Sequence, residues 1–226
     1  MDDAPPGAPA TGGDYAAARI VALSPQDATL WLPAALQIYV SAMNYPQGTE
    51  VHRGPMWREH LARTGYSAFG ALAKLPTATG PVDHLVGVAY GYRGERDQWW
   101  NHQLRLGLRQ RGHAPAVIDD MSREYFELTE LHVHPTAQGR GLGARLLTAL
   151  LTGRSEPRVL LSTPEVEGES NRAWRLYRTF GFTDVLRDFR FSGDPRPFAV
   201  LGRPLPLESR PAEPRPLRPH PTPPRP

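Results

Sequence analysis

Gln138-Gly-Arg-Gly-Leu-Gly143 sets three glycines at alternate positions where an apolar run of helical period begins. Glycine lacks a Cβ and tolerates positive φ, so a turn rich in it can aim successive backbone N–H groups at an anion. A helix starting there adds unpaired N–H groups and the positive end of its dipole. The chemistry implied is the holding of a phosphate or pyrophosphate. A Walker-type loop needs Gly-Lys-Ser/Thr, and Gly143 is followed by Ala144-Arg145, which excludes it. Gly139, Gly141 and Ala144 match the spacing of a dinucleotide fingerprint. That fingerprint follows its strand tightly and opens a parallel sheet. Here Pro135 to Gln138 intervene, and the strands before them read as antiparallel.

The strand just upstream, Tyr125 to His134, carries two carboxylates, Glu127 and Glu130. Period two sets Glu127 beside Thr129 and Leu131, and Glu130 beside Phe126, Leu128 and His132. The carboxylates therefore face opposite sides unless a bulge intervenes. Either could take a proton from an amine, and either could be structural. His132 and His134 share the Glu130 face, but ligands on one strand rarely converge on one ion and no fourth is evident, so no metal is expected.

The elements that must carry these groups form an alternating pattern. Strands are expected over 18–23, 66–74, 84–92, 125–134, 158–163, 183–191 and 196–201. Helices are expected from Pro25 to Met43, over 57–63, from Trp99 to near Gly112, and over 141–152 and 171–180. Residues 44–55 and 113–120 read as loops. Strands 66–74 and 84–92 pair antiparallel, since the turn between them is short. In the insertion at 96–123, Trp99, Trp100, His102 and Arg105 either wall a binding site or pack on the core. Met43 to Glu50 is a second candidate wall, with Tyr45 and His52 at its edges.

The ends differ from the middle. Residues 1–15 are poor in core-forming side chains, and ten of the 23 residues from Pro204 to Pro226 are proline. Both are expected to be disordered, leaving a domain over 16–203. The tail's partner, if it has one, is unknown. The chain has no cysteine, which excludes disulfides and a cysteine nucleophile. A net charge of +3 gives no ground for a nucleic-acid partner. Neither a signal peptide nor an 18-residue apolar run is found, so the expectation is a cytoplasmic protein without a membrane partner.

Gln138 to Gly143 resembles the Q/R-x-x-G-x-G/A signature of the GNAT superfamily of acyl-CoA-dependent N-acyltransferases. "LHVHP" precedes it. After one further strand, "SNRAWRLYRTFGF" resembles that family's second block, with Leu176-Tyr177 and Gly181-Phe182. The resemblance covers about residues 17 to 203. It implies a mixed α/β (α+β) fold, with a mostly antiparallel central sheet flanked by helices and splayed at its central strands. It implies acetyl-CoA or a similar acyl-CoA as co-substrate and a primary amine as acceptor, joined by direct attack in a ternary complex. The amides of Gln138, Gly139, Arg140, Gly141, Leu142 and Gly143 would bind the pyrophosphate, with Arg140 adding charge. The backbone of Leu131, His132 and Val133 would pair with the pantetheine arm and supply the oxyanion donor. Ser170 or Asn171 would contact that arm. Tyr177 would protonate the leaving thiolate, and Glu127 or Glu130 would serve as base, directly or through water. A homodimer stays open. The rival reading is a non-catalytic CoA-binding or regulatory module whose proline-rich tail recruits a partner.

Overall fold

Ser24 begins the first long helix by a reciprocal cap: its hydroxyl accepts from the Asp27 amide, and the Asp27 carboxylate accepts from the Ser24 amide. Pro25 follows at the first helical position, where its missing N–H costs nothing. In the computed structural model, which describes residues 15–207, this helix is α1 (Pro25–Met43). The other helices are α2 (Thr49–His60), α3 (Trp99–Gln110), α4 (Pro115–Arg123), α5 (Leu142–Leu151) and α6 (Arg172–Thr179). The strands are β1 (Arg19–Leu23), β2 (Ser67–Leu75), β3 (Val82–Arg93), β4 (Phe126–Val133), β5 (Arg158–Pro164), β6 (Thr183–Phe189) and β7 (Phe198–Pro204). They form one sheet in the order β1-β2-β3-β4-β5-β7-β6. Every pairing is antiparallel except β4 with β5.

That parallel pair is joined at Phe126↔Val159 and Glu127↔Leu160 only. Beyond Glu127 the two strands part, as the family resemblance implies. One face of the sheet is covered by α5 and α6, whose Leu142, Leu146, Leu147, Leu150, Leu151, Trp174 and Tyr177 close the main core. Burying each leucine contributes on the order of 1.5–3 kcal/mol. The other face carries α1 and α2 over β1 to β4, and α3 and α4 over β5 to β7.

Two expected loops are helical. Residues 49–55 open α2, because Gly48 takes a left-handed turn (φ 93°) that starts the helix within polar and proline-rich sequence. Residues 115–120 belong to α4, where Pro115 sits in the first turn rather than breaking the helix, and Ile118 is buried beside α3. At the ends, Tyr15 is buried in the main core, and Leu205 and Leu207 pack against it, so packed chain extends past both expected boundaries. The remainder of the expected disordered segments, 1–14 and 208–226, lies outside the described residues.

Candidate active site

The pairing of β3 with β4 shifts by one residue between Tyr90 and Gly91. Tyr90 pairs with Glu130 and Gly91 with Leu128, leaving Thr129 as the extra residue of a bulge. Gly91 is required there, since a Cβ would collide with the Glu127 carbonyl. The bulge changes the phase of β4. Glu127, Glu130 and His132 pair with Tyr92, Tyr90 and Val88, and so share the face that carries α1 and α2. Leu128, Leu131 and Val133 pack into the core on the opposite face. The carboxylates that period two alone sets on opposite faces thus lie on one.

The parting of β4 from β5 opens a cleft of about 770 Å³. The His134 N–H donates to Val86 O on β3. Alternation along the strand therefore turns the amides of Leu131 and Val133 to the other edge, which has no strand neighbour there among the described residues. Both residues line the cleft, and the Val133 carbonyl accepts from Gln138 Nε2 at 3.0 Å. His132 also lines the cleft, but with its backbone turned to β3 and its side chain on the α1 face, its ring 5.2 Å from that of Tyr39.

At one end of the cleft stands the glycine turn. Gly139 and Gly141 adopt φ of 78° and 74°, the left-handed region in which other residues are strained. Gln138, Gly139, Gly141, Leu142 and Gly143 all line the cleft, and α5 starts directly from Gly141. Arg140 does not line it. Its guanidinium donates to the carbonyls of Thr136 and Gln138 and stacks on Tyr15, with Cζ 5.3 Å from the ring centre. The charge expected from Arg140 is thereby engaged elsewhere. Asn171 lines the cleft and caps α6, its Oδ1 accepting from the Trp174 amide at 2.9 Å. Ser170 is outside the lining, and its carbonyl accepts from Arg175.

Sequence reasoning missed Arg172 and Arg175, which line the cleft from the first turn of α6. Arg172 donates to Gln138 Oε1 at 2.8 Å and ties α6 to the glycine turn. Their signal was available: cations in a first helical turn oppose the dipole, and a neighbouring anion offsets that cost.

Tyr177 and Glu130 both line the cleft, close enough for the Glu130 charge to act on the Tyr177 hydroxyl. The Tyr177 ring packs 5.6 Å from that of Phe182, and burial raises its hydroxyl above the ordinary phenol range, with the Glu130 charge adding to the rise. No described side chain hydrogen-bonds that hydroxyl. Glu130 Oε2 lies 2.6 Å from His132 Nε2. Glu127 is placed differently from expectation. It sits where β4 and β5 are still paired, is 4% exposed and does not line the cleft. Tyr92 donates to its Oε1 at 3.2 Å, and Oε2 has no partner among the described residues. Burial pushes this carboxyl up to about 8, so it is protonated at neutral pH.

The far wall comes from three separate segments. Tyr39, Met43 and Tyr45 belong to α1 and the turn after it, Arg53 to α2, and Asp194, Arg196 and Phe198 to the β6–β7 connection and β7. Arg196 grips Asp194 (Nη2–Oδ2 2.6 Å) and donates to the Tyr45 hydroxyl at 2.9 Å. The Tyr39 hydroxyl accepts from Arg53 Nε at 3.0 Å, and burial pushes it up to about 12. Of the expected walls, Tyr45 takes part and His52 does not. Trp99, Trp100, His102 and Arg105 are all outside the lining: Trp100 packs in the α3 core and bonds Ser162, while Arg105 pairs with Asp119 at 2.8 Å. Among the described residues no group of three potential ligands is close enough to hold a metal, and no helix is long and apolar enough to cross a membrane.

The family model for an acetyltransferase (GNAT) domain matches residues 107–184. Over 202 residues the chain is 50% identical to a GCN5-like protein acetyltransferase of Mycobacterium tuberculosis, covering 83% of this chain and 98% of that one. Solved structures share the fold at low identity. NAA60 of Arabidopsis thaliana, crystallised with a bisubstrate analogue, matches with a TM-score of 0.53 at 16% identity, over 83% of this chain and 100% of that one. A GNAT-family protein from Desulfovibrio desulfuricans matches with a TM-score of 0.52 at 18% identity, over 83% and 99%.

Proposed function

Because the chain belongs to the GNAT family of acetyltransferases, we propose that it moves an acetyl group from acetyl-CoA to a primary amine on a protein, by direct attack in a ternary complex. The observation that carries the reading is the open edge of β4, with the glycine turn following the strand and Glu130 and Tyr177 lining the same cleft. The mycobacterial relative, a GCN5-like protein acetyltransferase, supports a protein acceptor. The donor supplies a thioester, which is open to attack by a neutral amine.

The residues fit that donor. The amides from Gln138 to Gly143 and the first turn of α5 receive its pyrophosphate, and Arg172 and Arg175 add positive charge beside them. The free Val133 N–H and the Leu131 carbonyl hold its pantetheine arm as a further strand would be held, with Asn171 closing the other side. Glu130, bonded to His132, receives the proton that the acceptor ammonium must lose before attack. The Leu131 N–H stabilises the charge that develops on the carbonyl oxygen. Tyr177 gives its proton to the departing thiolate, and its raised pKa keeps that proton in place until then. Glu127 is set aside as base, because it is buried away from the cleft and already protonated.

The test is thiol release from acetyl-CoA by the full chain against protein and peptide amines, with Glu130→Gln in parallel. Turnover should fall by roughly 10² or more in the variant. The loss should shrink as pH rises, because more of the acceptor amine is then already neutral. Equal turnover at neutral pH would remove Glu130 from the mechanism.

A further inference from the structure

We propose that Arg53 selects acceptors that carry an acidic residue beside the amine to be acetylated. The inference rests on the acetyl-transfer reading above and names the substrate class of that same site.

Four arginines line the cleft, Arg53, Arg172, Arg175 and Arg196. Arg196 holds Asp194 at 2.6 Å, and outside the cleft Arg178 and Arg187 hold Glu169 and Glu165 at 2.6 and 2.7 Å. Arg53, like Arg172 and Arg175 of α6, has no carboxylate within 4.0 Å among the described residues, and of these three it alone stands on the wall made by α1, α2 and the β6–β7 connection. It is half-buried and lines the cleft on the acceptor side. Its Nε donates to the Tyr39 hydroxyl at 3.0 Å, and Nη1 is 3.7 Å from Met56 Sδ. These contacts fix the plane of the guanidinium and leave Nη2 without a partner among the described residues. The nearby acids are already engaged, Asp194 by Arg196 and Glu130 by His132.

A partly desolvated guanidinium with open donors matches a carboxylate in geometry as well as charge, and such pairs are among the strongest hydrogen-bonded contacts. The spacing indicates where that carboxylate lies on the acceptor. Arg53 Cζ is 5.4 Å from the centre of the Tyr39 ring, that ring is 5.2 Å from His132, and His132 bonds Glu130. One aromatic ring therefore separates the charge that would bind the carboxylate from the pair that would take the amine's proton. An extended acceptor advances about 3.3–3.6 Å per residue, so an adjoining Asp or Glu side chain spans that ring.

The experiment compares short peptides in pairs, one pair offering a lysine amine and one a free N-terminus, each with Glu or Gln next to the reacting residue. The wild type should acetylate the Glu member with about tenfold higher kcat/KM. Arg53→Gln should bring the ratio near one, and Arg53→Lys, which keeps the charge but not the fork, should keep part of it. The wild-type preference should also shrink with added salt. A ratio of one in the wild type, or a preference that survives Arg53→Gln in a variant that melts normally, overturns the proposal. If Arg53→Gln does not fold, Arg53→Lys and the salt series decide. If no peptide is acetylated, the acetyl-transfer reading fails. Calorimetric titration of the same peptides into the wild type with CoA then judges the inference separately: tighter binding of the Glu member supports it, and equal affinity overturns it.

Discussion

The two sides of the cleft are made of different material. On the side proposed for the donor the groups are mostly backbone: the turn around Gly139 and Gly141, the free edge of Leu131 and Val133, and the first turns of α5 and α6. On the acceptor side they are side chains, Tyr39, Tyr45, Arg53, Asp194 and Arg196, drawn from three distant stretches. A backbone site demands particular conformations of a few consecutive residues. A side-chain site demands only that topology bring the right groups together. The first is rigid in its chemistry, while the second can be changed one side chain at a time.

The sharpest break in that contrast is Tyr177, a side chain on which the donor half would depend if its proposed role as acid holds. Tyr177→Phe keeps the ring beside Phe182 and removes only the hydroxyl. Turnover should fall roughly 10²- to 10⁴-fold with little change in Tm, and normal turnover would remove its role as acid. A smaller effect is expected at the glycine turn. A Cβ on Gly141 would meet nothing within 4 Å, so Gly141→Val costs backbone strain and no clash. The left-handed conformation costs an ordinary residue about 1–2 kcal/mol, and relaxing out of it turns the loop amides away. Acetyl-CoA affinity by calorimetry should drop about tenfold while peptide affinity holds; a matching loss of both would erase the division between the sides.

The smallest effect on turnover is expected at Glu127. Its folded pKa of about 8 lies above the ordinary carboxylate range, so burial favours the neutral form. Glu127 should therefore contribute a loss of stability as pH rises from about 4.5 through 8, by up to about 1.4 kcal/mol per pH unit, opposed below about 6.5 by His60, whose burial pulls its pKa down to about 4, so the sign is read from the difference between variant and wild type. Glu127→Gln should leave turnover at neutral pH nearly unchanged. In thermal melts it should match the wild type near pH 5 and be the more stable near pH 9. A large fall in turnover would return Glu127 to the chemistry.

The glycine turn and the helix starts that line the cleft were legible in the sequence for the reason just given. Three alternating glycines before a leucine-rich period, and Asn171 before a second helix, are local patterns with local causes. The strands, the antiparallel hairpin and both ends of α1 were equally local. The relation of Glu127 to Glu130 was not. It depends on an extra residue at Thr129, and the glycine that permits it, Gly91, is on another strand. Arg53 was hidden because α2 begins in a stretch of Gly, Thr and Pro whose composition suggests a loop. Its place in the cleft follows from the packing of α1 and α2 together over β3, which no window of sequence contains.

The parting of the sheet has a mechanical consequence as well. Four strands and three strands are zipped together over Phe126↔Val159 and Glu127↔Leu160 alone, as two ribbons meet at the tip of a crack. A ligand arm bonded to Leu131 and Val133 bridges that crack behind its tip. The donor would then act as a temporary staple between the ribbons, slowing amide exchange along β4 and delaying the first opening of the sheet. Each turnover would loosen and refasten the seam, so the molecule's resistance to unfolding would rise and fall with its supply of acetyl groups.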